Sequence, residues 1–175
     1  LDEGAPARED AELLALRAEA LHGLARPAAA VPLLDRALEL RPNLGRALLL
    51  RARINLGEDR PREAVPLLER LVALEPFDVK ARKNLMEAYR LVGDAARAER
   101  ERRRLAEAQE HQDRLTDLQK DAIAQPWNDD VRYRIALLCW KVRRPAETRM
   151  WLQAALACNP GNLAVRRALA DLGGL

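Results

Sequence analysis

Residues that favour strands are scarce in this chain of 175 residues. Val, Ile, Thr, Phe, Tyr and Trp together number only 19. Such side chains are what a pleated surface packs, so a sheet-based fold is nearly excluded. Cysteine is limited to Cys139 and Cys158, and histidine to His22 and His111. Their spacing matches no metal site, so no metal is expected and the thiols read as buried and inert. There is no glycine-rich phosphate loop and no Ser/His/Asp arrangement. Neither catalysis nor a cofactor is therefore expected. No apolar run approaches the roughly 20 residues of a membrane helix, so this segment should stay soluble. Neither sign of charge dominates: 30 basic and 27 acidic residues leave +3. Despite a pI near 9.2, that balance gives no ground for a nucleic-acid partner.

What the chain does have is Ala (32), Leu (32), Arg (26) and Glu (15). These lose little side-chain entropy in a helix, which predicts an all-α fold. A hydrophobic content of 49% with low net charge is enough to form a core. At this length one domain is the default. Arginine outnumbers lysine 26 to 4, which suggests a bacterial source. The first residue is Leu1 rather than Met, so the sequence reads as a piece of a longer protein. Compartment stays open between the cytoplasmic and periplasmic sides of the cell.

An internal period organises the sequence. Pro42 and Pro76 lie 34 residues apart, as do Pro126 and Pro160, and Ala30, Ala64 and Ala98 follow the same step. Ala30-Val31-Pro32-Leu33-Leu34 returns as Ala64-Val65-Pro66-Leu67-Leu68. Small residues at fixed offsets in a 34-residue period point to a helix-turn-helix repeat. With the closing proline at repeat position 32, position 8 holds Ala18, Ala52 and Ala136. Position 20 holds Ala30, Ala64 and Ala98, and position 24 holds Leu34, Leu68 and Leu152.

These residues resemble the tetratricopeptide repeat (TPR) family over nearly the whole chain. The resemblance implies a right-handed α-solenoid of stacked antiparallel helix pairs. Its expected divisions are a lead-in at 1–10, repeats at 11–44, 45–78, 79–126 and 127–160, and a capping helix at 161–175. Pro6 reads as a start signal for the first helix. Small residues let paired helices approach closely, and each pair needs a neighbour to bury its apolar side. Asp78, Asp94 and Asn162 are expected N-caps, and Pro61 and Pro145 expected helix starts. Pro32 and Pro66 should be tolerated within their helices as kinks near the start.

The third repeat departs from the pattern. Its position 24 is Arg102, and its closing proline arrives 16 residues late. The segment Ala95–Ala124 contains no Gly or Pro, which predicts one helix of about 30 residues. Ion pairs at i,i+4 are expected for Glu99–Arg103, Arg97–Glu101, Arg103–Glu107 and Glu110–Arg114. The helix is expected to be a spacer, a docking surface or a solvated face.

In the resembled family the first helices line a concave groove that holds a peptide or a partner's helix. Positions 2, 5, 9 and 12 point there. That assigns Arg46, Arg53, Lys80, Lys83 and Arg90, with Asn84 beside them, to a basic middle. It assigns Tyr133, Leu137 and Trp140, with Arg134 beside them, to an aromatic end. The implied function is a non-enzymatic protein–protein interaction scaffold that favours an acidic peptide with an apolar anchor. The alternatives are an accessory or substrate-positioning domain of a larger enzyme, and a self-assembly module. The clamp that some members use on a chaperone's acidic tail is incomplete, because Leu49 and Asp130 replace its lysines.

Overall fold

A computed structural model describes residues 10–173. The expected lead-in, including Pro6, lies outside the described residues except for Asp10. The elements are α1 (Ala11–Gly23), α2 (Pro27–Leu40), α3 (Gly45–Gly57), α4 (Pro61–Leu74), α5 (Val79–Leu91), α6 (Ala95–Ala124), α7 (Asp129–Lys141), α8 (Pro145–Cys158) and α9 (Leu163–Gly173). All the regular structure among the described residues is helical. Two compact units form, meeting in sequence between Leu105 and Ala106 within α6.

In the first unit, helices pair as α1 with α2 and α3 with α4, and α2 and α4 pack on the next first helix. The small residues of the repeat sit at these close approaches. Ala18, Ala30, Ala52 and Ala64 are fully buried. Leu34 and Leu68 are also fully buried and fill the space between pairs. Around them lie Ala37, Ala47, Leu50 and Ile54 in one cluster, and Leu85, Ala88 and Tyr89 in another. In the second unit the C-terminal part of α6 packs on α7 through Leu115, Leu118 and Ala122 against Val131, Ile135 and Cys139. Leu152, Ala155 and Val165 join α8 to α9.

The helix ends follow from side-chain chemistry. Asp78 accepts from the Ala81 amide at 2.8 Å, Asp94 from Arg97 at 2.9 Å and Asn162 from Ala164 at 3.0 Å. Asp10 and Asn128 cap α1 and α7 in the same way. Pro27, Pro61 and Pro145 occupy first-turn positions, where no amide proton is needed. Pro32 and Pro66 lie inside α2 and α4, and both helices run on past them.

Each turn between paired helices uses a left-handed residue at repeat position 15. These are Ala25 (φ 56°), Asp59 (φ 55°), Gly93 (φ 81°) and Arg143 (φ 59°). The next amide then reaches back five residues, as Arg60 N to Asn55 O at 2.8 Å and Arg144 N to Cys139 O at 3.0 Å. Only one of the four carries glycine, which adopts this conformation without a Cβ clash. Replacing Ala25 or Arg143 by glycine should therefore raise stability by roughly 0.5–1 kcal/mol each. Urea unfolding checks it; a loss at both sites would contradict the turn geometry.

The third repeat exchanges leucines for charge. Repeat positions 4 and 23 hold Leu14 and Leu33, then Leu48 and Leu67, then Arg82 and Glu101. Arg82 and Glu101 pair at 2.6 Å with side chains only 9% and 5% exposed. Arg82 also donates to the Pro76 carbonyl. Arg104 donates to the other Glu101 oxygen at 2.8 Å.

Of the four expected i,i+4 pairs only Glu99–Arg103 forms among the described residues. The inward turn of Glu101 leaves Arg97 to meet Asp94 at 3.1 Å and Glu69 at 3.5 Å. Neither Arg103–Glu107 nor Glu110–Arg114 comes within ion-pair distance. Glu99 binds Arg102 at 2.7 Å and Arg103 at 3.3 Å. Those two arginines hold the Glu99 carboxyl down at about 2. At position 24 the Arg102 side chain is 66% exposed, so an apolar contact face becomes an ion-paired one.

Candidate interaction surface

The first helices α1, α3 and α5 carry a cavity of about 490 Å³ in the first unit. Glu19 and His22 come from α1, Arg46, Leu49 and Arg53 from α3, and Lys80 from α5. Gly45, at the start of α3, keeps one wall open. A Cβ there would sit 2.9 Å from Glu75 Oε1 and 3.2 Å from Leu71 Cδ1. Arg46 shares its charge with Glu19 at 3.1 Å. Arg53 and Lys80 are exposed and make no side-chain ion pair among the described residues. Glu75 and Asp78 also line the cavity, so its wall is mixed in sign. Asp78 is already engaged as the cap of α5.

The remaining basic-middle residues sit outside that cavity. Lys83 is exposed on α5. Asn84 spends its amide on the Lys80 carbonyl at 2.7 Å. Arg90 is held by both Glu87 oxygens at 2.9 and 2.7 Å. That contact lowers the Glu87 carboxyl and raises the Arg90 guanidinium. Of the six residues assigned to the basic middle, three therefore converge: Arg46, Arg53 and Lys80.

The second unit carries its own cavity of about 300 Å³. Tyr133, Leu137 and Trp140 of α7 line it together with Leu152 of α8 and Ala168 and Asp171 of α9. Leu137 and Trp140 are 46% and 47% exposed. Arg134 lies outside it, 3.9 Å from Asp130. Asp171 is an addition to the residues that the first four repeats assign to the groove. It stands at position 9 of the fifth first helix, so the same rule would have found it.

Other titratable groups are structural. Burial, then Glu147, pushes the Cys139 thiol up to about 11, which leaves it protonated and unreactive. Cys158 donates to the Pro126 carbonyl at 3.5 Å, and both thiols are free. The Tyr89 hydroxyl donates to Glu69 at 2.5 Å beneath Arg97. Burial, then Glu69, pushes it up to about 12. His111 is buried where α6 meets α7; desolvation, then Lys141 and Arg144, lowers its pKa. Among the described residues no group of three or more His, Cys, Asp or Glu is placed to hold a metal. None of the described helices is long and apolar enough to cross a membrane.

Paired antiparallel helices with a 34-residue period and small residues at the crossings define a TPR-like fold. Known structures agree. The thermophilic TPR protein TTC0263 of Thermus thermophilus superposes with a TM-score of 0.50 at 23% identity, over 94% of this chain and 100% of that one. A MamA RS-1 ArsTM double mutant gives 0.50 at 20% identity, over 89% and 79%. No family model and no curated protein sequence matches the chain.

Proposed function

We propose that the protein is a non-enzymatic interaction module whose first-helix surface binds a segment of another protein. One observation carries this reading: Arg53 and Lys80 converge on an open cavity without acidic partners of their own. Cations that stay unpaired within a concavity favour an acidic ligand. The α7 cavity, with Tyr133, Leu137 and Trp140, suits an apolar side chain, since aromatic walls supply much interface energy.

Fluorescence polarisation with labelled 12-residue peptides graded in Asp and Glu content tests the proposal. Affinity should rise with acidic content and fall as salt is raised. The double reversal Arg53→Glu/Lys80→Glu should weaken binding at least tenfold, and Lys83→Glu should do less. Equal binding by all three proteins would remove the cavity from consideration.

A further inference from the structure

We infer that the outer face of α1 is an open stacking surface for one more helix pair of the same kind. This inference does not rest on the groove. Repeat positions 3, 6 and 10 of a first helix face the helix that precedes it. At position 3, Ala47, Ala81 and Val165 are 0% exposed and Val131 is 5% exposed. The equivalent residue in α1 is Leu13, which is 47% exposed. At position 6, Leu50 of α3 is 5% exposed, whereas Leu16 of α1 is 47% exposed. At position 10, Ile54 and Ala88 are buried and Ala20 is exposed. Leu24, at 69% exposure, prolongs the stripe. The residue types of a covered face are present without the cover.

Continuity with the observed interfaces identifies the occupant. α2 covers these positions on α3 and α4 covers them on α5. A helix pair resembling α3–α4, with aliphatic residues on the contact face of its second helix, therefore fits α1 by the same geometry. The opposite end of the first unit is not open in this way, because Arg102 and its partner Glu99 replace the apolar contact there. Four side chains also fall short of the ~800 Å² per partner typical of a stable free dimer. A second copy of this chain is thus the weaker occupant.

The test duplicates residues 45–78 and inserts the copy between Asp10 and Ala11 of the full chain. Asp78 of the copy then precedes Ala11, standing where Asp10 stands now, at the N-cap. Stacking predicts one cooperative transition with a thermal midpoint about 5 °C higher. Leu13→Glu/Leu16→Glu should abolish that gain in the extended chain and leave the parent nearly unchanged. A separate, lower transition for the copy would overturn the inference, as would equal tolerance of the glutamates in both chains. So would a parent dimer in sedimentation that the glutamates dissociate, because the occupant would then be a second copy.

Discussion

Glu101→Leu should lower unfolding free energy by about 3–5 kcal/mol in urea, one of the largest losses available to a single substitution here. The substitution leaves the Arg82 guanidinium charged in a site where its side chain is 9% exposed. It also strips Arg104 of its acceptor. The second arm is what makes the experiment informative. Arg82→Leu/Glu101→Leu restores the apolar pair found at Leu14/Leu33 and Leu48/Leu67. Replacing a whole buried pair by aliphatic residues is often neutral or stabilising. The double variant should recover to within about 1 kcal/mol of the parent or exceed it. If the single variant lost less than 1 kcal/mol, the pair would not be buried in solution.

Leu68→Ala should be comparably damaging, at about 3–5 kcal/mol, whereas Arg102→Ala should change stability by less than about 0.5 kcal/mol. Both residues hold repeat position 24. Leu68 is fully buried between α4 and its neighbours. Its loss removes apolar area and leaves a cavity that close packing cannot refill. Arg102 lies 66% exposed in a surface ion pair with Glu99, and such pairs contribute little. Equal losses at the two sites would mean that the third repeat buries position 24 after all.

Much of the fold was legible because helix pairing is local and periodic. The alanines at positions 8 and 20 and the leucines at 24 repeat in sequence, and the structure buries them at the crossings they imply, Ala98 only partly. The caps at Asp78, Asp94 and Asn162 were legible for the same reason, since a cap depends on the next three residues only. The left-handed turns were mostly hidden. Gly93 announced one of them, but Ala25, Asp59 and Arg143 adopt the conformation against their own preference. The repeat imposes it there.

The candidate surface was legible only in outline. Repeat positions pick residues on α3, α5 and α7, yet side-chain partners decide which stay available. Arg90 holds a groove position by its repeat number, but Glu87 grips its guanidinium. Lys80 and Arg53 kept their charges to themselves. The inward turn of Glu101 was also out of reach of pattern reading, because a glutamate among arginines on a charged helix reads as a surface residue.

Trp127, Trp140 and Trp151 all lie in the second compact unit, and the first has none. Emission excited at the red edge of the absorption band therefore reports on α7, α8 and their surroundings alone. Circular dichroism in the amide region sums helices from both units. Following one denaturation by both signals separates the halves of the molecule without labels. Coincident curves would mean that the halves melt as one cooperative body, and displaced curves that each keeps its own stability.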